Sequence, residues 1–333
     1  ASRSGEQGER GECYPVASGG MVLFGREPLL EHLDAALASP GSVVQLVGPP
    51  GVGKTALAQA LAAGWPGATR WVGLDDRSEE AELAEALARA ADVAPLPDHG
   101  GFLHDLSVAT APLLVLDGAE LVDGLGNLVQ RVVDGSSARV LVTTRQRRRL
   151  AGAQVEVGPL SVEAGTHLLQ ERIRRAGMPE VDAAVLERLA VHLDGLPLSL
   201  ELAAGRLRLY APDELATGPT LDRLADRQRD GRHSSLRQAL EASWGQLTSE
   251  ARAALAALSC FRTPFGRGGF RAVTGASLEV LEELLDASMV HGEVDANGAR
   301  HYRLLASVRE RAAEELPAAD PARQRHDAWL LEA

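Results

Sequence analysis

The chain has 333 residues, 45% of them apolar and 24% charged, with 34 basic against 46 acidic side chains and a formal net charge of −12. That length exceeds one small core and points to two or three domains, and the acidic balance repels phosphate backbones, so nucleic-acid binding would need a local basic patch. There is no apolar run of membrane-spanning length, no signal-type N-terminus, and only Cys13 and Cys260 without framework or metal-ligand spacing, which argues for a reducing, cytoplasmic protein with no membrane contact.

Residues 1–20 are rich in Gly, Ser and Glu and read as a linker. From Phe24 to Leu37 apolar residues recur at helical spacing, with Pro28 suited to a first turn. Ser42–Val47 is a short apolar strand, and Gly48-Pro49-Pro50-Gly51-Val52-Gly53-Lys54-Thr55 follows it, meeting every fixed position of the phosphate-loop pattern. The next stretch, Thr55–Ala63, is made of strong helix formers. Glycines between strand and helix let successive backbone amides turn inward at a helix N-terminus, where the dipole favours an anion. Lys54 is the only lysine in the chain; a compact ammonium on a flexible stem reaches into a phosphate cradle that a broad guanidinium would not fit. The hydroxyl of Thr55 is placed to ligate Mg²⁺.

Further strands are predicted at 69–74, 112–117, 139–144 and 154–158, with helical stretches between several of them. Near-continuous apolar strands alternating with helices predict a parallel sheet covered on both faces. Leu113-Leu114-Val115-Leu116-Asp117 ends in a carboxylate where a Mg²⁺ would be met, so Asp117 is the candidate Walker B acid. Gly118 follows it where many hydrolases carry a second acid, and Glu120 is the substitute for orienting water. Arg145 directly follows the strand 139–144 and can approach a γ-phosphate; Arg147, Arg148 and Arg149 read as a solvated loop. Beyond Ser161 the period is helical over 161–176, 182–194, 197–210 and 221–228, then over 235–260 and 277–289. Asn297-Gly298 between two apolar-containing segments is a hairpin signal, and a helix from Leu305 to Leu316 completes a winged-helix pattern.

Taken in order, Phe24-Gly25-Arg26-Glu27, the phosphate loop, Leu113–Asp117 with Glu120, Val142-Thr143-Thr144-Arg145, Gly195-Leu196-Pro197-Leu198 and the segments Ser235–Trp244 and Tyr302–Glu310 resemble the STAND class of signal-transducing P-loop ATPases, NB-ARC type, as in bacterial AfsR-like regulators. The resemblance covers about Val22 to Leu316. It implies an α/β P-loop NTPase fold with a five-stranded parallel sheet in the order 5-1-4-3-2, followed by a helical domain and a winged helix. The corresponding division is a linker 1–20, a nucleotide-binding domain 21–160, a helical domain 161–231, a winged helix 232–316 and, at 317–333, the start of a helical sensor region. It further implies that Pro50, Gly51, Val52, Gly53, Lys54, Thr55 and Ala56 hold the phosphates of ATP or ADP. Thr55 and Asp117 would hold Mg²⁺, Arg145 would sense the γ-phosphate, and Phe24, Arg26 and Pro197 would border the adenine. Lys54, Asp117, Arg145 and Glu120 form the expected catalytic set.

Two departures stand out. Gly118 replaces an acid or amide, which implies slow hydrolysis. The Met-His-Asp motif of many relatives aligns with Leu304-Leu305-Ala306, with Arg303 and His301 as the alternatives to its imidazole. The expected function is an ADP/ATP switch that is monomeric with ADP and oligomeric with ATP, with an effector domain and a repeat-built sensor outside this chain. A DNA-binding or DNA-loading AAA+ ATPase is the alternative, disfavoured by the acidic balance and by the lack of a basic stripe over 277–316. A small-molecule kinase is a further rival; it predicts a compact chain without the long helical extension.

Overall fold

A computed structural model describes residues 23–74, 80–92, 99–120, 122–217, 224, 236–295 and 297–332. The linker at 1–20, the helix expected over 221–228 except Leu224, and the boundary near 231 lie outside the described residues.

Five parallel strands form the main sheet: β1 Val43–Val47, β2 Thr69–Gly73, β3 Leu113–Asp117, β4 Arg139–Thr144 and β5 Ala153–Glu156. Their order, β2-β3-β4-β1-β5, is the expected 5-1-4-3-2 read from the other edge. Side chains alternate between the two faces of a strand, and the buried residues divide accordingly. Val44, Leu46, Leu113, Val115, Leu141 and Val155 join one core, whereas Val43, Val72, Leu114, Leu116, Val140 and Val142 join the other. Helices α1 Glu27–Ala36 and α2 Lys54–Gly64 contribute Leu33, Leu57 and Leu61 to the first core. The second is closed by α3 Glu80–Ala91, α4 Gly100–Val108 and α5 Leu125–Gly135 through Leu87, Phe102, Leu106, Leu128 and Val132. With both faces covered, the functional edge is the C-terminal end of the strands.

Helices α6 Val162–Arg175, α7 Ala183–His192, α8 Pro197–Arg206 and α9 Pro212–Thr217 follow the sheet. Then come α10 Leu236–Gln246, α11 Ser249–Leu258, α12 Arg267–Thr274, α13 Leu278–Asp286, the hairpin β6 His291–Val294 and β7 Arg300–Arg303, α14 Ala306–Glu315 and α15 Pro321–Glu332. The first core runs on without a break from the sheet through Leu169, Leu189 and Leu200 to Leu255, Phe270, Leu284 and Val308. A continuous helix over 235–260 is not found. Thr248 ends one helix and caps the next, its hydroxyl accepting from Ala251 N at 3.1 Å while its own amide and hydroxyl donate to Glu283. Helix α12 had no counterpart in the periodicity reading. The hairpin loop is organised by Asp295, whose carboxylate accepts from Asn297 N and Ala299 N, with Gly298 at φ +81. Phe265 pairs its backbone with Tyr302 at 2.8 Å in both directions, adding a third short partner to the hairpin. Among the described residues, no helix is long and apolar enough to cross a membrane.

Candidate functional site

Strand β1 ends at Val47 and α2 begins at Lys54, so Gly48–Gly53 makes the whole crossing at the sheet edge. Gly51 at φ +79 and Gly53 at φ +97 occupy left-handed backbone that costs an L residue about 1 kcal/mol or more. Turns of this kind present backbone amides to one concavity, next to the unpaired amides of the helix start. Lys54 is buried, and its Nζ donates to Gly48 O at 2.7 Å and Pro49 O at 3.1 Å, so the ammonium rests on its own loop. Burial pulls its pKa down to about 8; the Glu120 and Asp117 carboxylates oppose that shift, and Arg145 adds to it.

At the end of β3, Asp117 Oδ1 accepts from Thr55 Oγ1 at 2.9 Å and from Thr143 Oγ1 at 2.6 Å, and Thr143 Oγ1 accepts from Gly118 N at 2.9 Å. The pairing of β3 with β4 sets this, since Leu116 lies opposite Val142 and the next residues on each strand are Asp117 and Thr143. The sequence places Thr143 in the Val142–Arg145 landmark but assigns it no role, although two threonines ending an apolar strand are a usable signal. The cluster offers only oxygen donors beside the loop, a set that fits a hard cation such as Mg²⁺.

Gly118 sits at φ +81, and a Cβ there would meet Leu74 O at 2.8 Å. No acid fits beside Asp117 in this backbone. Glu120 is 4% exposed, and its Oε1 accepts from Arg145 N at 3.2 Å and forms an ion pair with Arg145 Nε at 3.3 Å. The candidate sensor is therefore held by the candidate water-orienting acid. Arg148 departs from the solvated-loop expectation: its guanidinium donates to Glu120 O at 2.9 Å and Val122 O at 2.7 Å. The cause is Gln45, a buried amide in a central strand that must be satisfied and that brackets the Arg148 backbone at 3.0 and 3.1 Å. Arg147 is half-exposed and pairs with Glu156 and Asp286, whereas Arg149 is exposed as expected.

Phe24, Arg26, Val52, Gly53, Ala56 and Pro197 line one small cavity beside the loop, together with Leu160 and Leu168. Pro50 is buried in the loop but is not part of that lining. Arg26 Nη2 donates to Val52 O at 3.1 Å and Gly158 O at 2.7 Å, fastening the loop to the exit of β5; burial lowers its pKa to about 10, still protonated at neutral pH. Pro197 opens α8, and Leu198 N donates to Gly51 O at 3.1 Å, so the start of α8 sits directly on the phosphate loop. The sequence places Leu198 in the Gly195–Leu198 landmark but gives it no contact of its own.

The C-terminal elements reach the same region. Asp194, at φ +52, accepts from Ala306 N, the first amide of α14, and from Arg303 Nη1 at 3.4 Å. Burial raises the pKa of Asp194, opposed by the Ala306 amide and the Arg303 charge. Arg303 also pairs with Glu293, and His301 pairs with Asp295 at 3.1 Å, so both alternatives to the missing motif imidazole are engaged elsewhere. The imidazole that lines the cleft above Gly48 is His291, whose buried Nε2 has no partner among the described residues and whose pKa burial lowers to about 4.

No family model matches the chain. It is 30% identical over 307 residues to a Mycobacterium tuberculosis protein provisionally named an HTH-type transcriptional regulator, covering 84% of this chain and 34% of that protein. An uncharacterized protein of the same species is 33% identical over 242 residues, covering 65% of this chain and 59% of that one. The chain thus spans about a third of the length of the first of these relatives. Among solved structures, the Walker-type ATPase of Pyrococcus abyssi superposes with a TM-score of 0.56 at 15% identity, covering 87% of this chain and 95% of that one. Sheet order, phosphate loop and superposition agree that the chain has the P-loop NTPase fold.

Proposed function

We propose that this chain is the ADP/ATP-dependent switch of a STAND-class, NB-ARC-type signalling ATPase. The observation that carries this reading is the convergence of Lys54, Thr55, Asp117 and Arg145 at one sheet edge, directly beneath the start of α8. In it, Lys54 and the amides of Gly51–Thr55 bind the phosphates, and the base lies in the cavity between Phe24, Arg26 and Pro197. Thr55 and Asp117 hold Mg²⁺, which when bound neutralises phosphate charge. ADP keeps the nucleotide-binding domain 21–160, the helical domain 161–231 and a winged helix 232–316 together. ATP adds a phosphate that competes with Glu120 for Arg145, which is the differential contact a population shift requires. The pairing of Glu120 with Arg145 and the exclusion of an acid at Gly118 support slow turnover, since the base must first shed a guanidinium.

In the whole protein, an effector and a repeat-built sensor would supply output and input in the cytoplasm, with oligomerisation in the ATP state. The name of the mycobacterial relative is consistent with transcriptional output. The test is equilibrium binding of ATP and ADP, with and without Mg²⁺, to wild type and Lys54→Ala. Binding should fall at least about a hundredfold, the scale of losing a buried charge-assisted contact; undiminished affinity for both nucleotides removes the reading.

A further inference from the structure

Helix α13 ends in a turn with an unusual occupant. Ala287 N donates to Glu283 O at 2.9 Å and Met289 N to Leu284 O at 2.9 Å, closing the helix through Ser288 at φ +55. Glycine or asparagine normally takes this left-handed position, because any other side chain strains the backbone. Ser288 is 6% exposed, and its hydroxyl donates to Arg145 O at 2.7 Å. The next contact runs the other way: Arg147 N donates to Asp286 O at 3.3 Å, satisfying a carbonyl at the end of α13. Gln146 and Gln246 bond alongside. The loop carrying the sensor arginine and the end of α13 therefore cap each other.

We infer that Ser288 is a positioning residue for Arg145, clasping its backbone so that the guanidinium stays on Glu120 until a γ-phosphate draws it away. This inference rests on the nucleotide-switch reading and names what sets its bias. With the hydroxyl in place, a shift of the Arg145 backbone that carries the guanidinium toward a phosphate also breaks a contact to the C-terminal elements, so phosphate sensing and release of those elements are coupled. Without the hydroxyl, Arg145 reaches the γ-phosphate at lower cost, and ATP gains while ADP, which lacks that phosphate, does not.

The experiment is calorimetric titration of the whole chain with ATP and with ADP, comparing wild type, Ser288→Gly and Ser288→Ala. Glycine removes the hydroxyl and the backbone strain together, so this variant folds at least as well as wild type; alanine removes the hydroxyl and keeps the strain. Both should raise the ATP-to-ADP affinity ratio about fivefold, the factor that one net hydrogen bond represents, while Ser288→Ala melts below Ser288→Gly. A ratio unchanged in both variants, or equal changes for the two nucleotides, overturns the clasp and leaves nucleotide binding intact. A wild-type chain that binds neither nucleotide removes the switch reading and the clasp with it.

Discussion

The phosphate loop and the seam with the C-terminal elements are held in different ways. The loop is fixed by backbone: glycine conformations, a helix start, and an arginine and a lysine bonded to carbonyls only. Apart from one backbone bond, Arg147 N to Asp286 O, the polar contacts of the seam named above run through single side chains, Ser288 to Arg145 O, Asp194 to Ala306 N and Arg147 to Glu156 and Asp286. A backbone cradle tolerates most substitutions outside its glycines and its lysine, whereas a side-chain contact disappears with one mutation. On the proposed switch reading, nucleotide affinity should thus be robust and the closure of the lobes easily tuned.

The largest effect that sharpens this contrast is the loss of nucleotide binding in Lys54→Ala, at least about a hundredfold. Next comes Asp194→Ala, which strips the cap from α14 and should lower stability by about 1–2 kcal/mol in thermal or urea unfolding. Asp194→Asn keeps an acceptor and tolerates the left-handed backbone. Because burial raises the pKa of Asp194 and so disfavours its charge, the amide should cost far less. An equal loss in both variants would assign the contact to charge and break the contrast.

The third prediction concerns pH. Free Lys54 titrates near 8, below its ordinary value, so the folded apo chain releases this proton before the unfolded chain does and gains stability as pH rises from about 8 toward 10.5. Bound phosphates favour the ammonium, so binding takes up a proton in that window. Affinity should be flat below pH 8 and fall by up to about tenfold per unit above it. Calorimetry in buffers of different ionisation enthalpy reads the proton directly, and a flat profile to pH 9.5 would falsify the assignment of this lysine. The smallest effect is Arg145→Ala, expected to lower the ATP-to-ADP affinity ratio by about fivefold while leaving ADP affinity nearly intact.

Much of the nucleotide-binding half was legible in the sequence, because apolar strands buried on both faces announce a parallel sheet and the phosphate loop has fixed spacing. Asp117 was a candidate only through its order and distance after the phosphate loop, since many strands end in Asp, and the fold places it beside Thr55. Thr143 was half-legible. Ser288 and Asp194 were not, because their partners lie far along the chain and a lone Ser or Asp at a helix end ordinarily caps its own helix. The break at Thr248 was missed because a capping threonine inside an alanine-rich, helix-favouring stretch does little to interrupt its periodicity. Gly118 was read as a catalytic deficit, and the fold adds a steric cause in the Leu74 carbonyl.

Helix α14 starts at Ala306 with no side chain of its own to receive its first amide, and the oxygen comes from Asp194, more than a hundred residues earlier. A gene fragment beginning at α10 would carry that helix without its lid, fraying from the front and exposing Leu305 and Val308, which are buried here. Dissecting this polypeptide into modules therefore calls for cuts that keep residues 194 and 306 on the same piece.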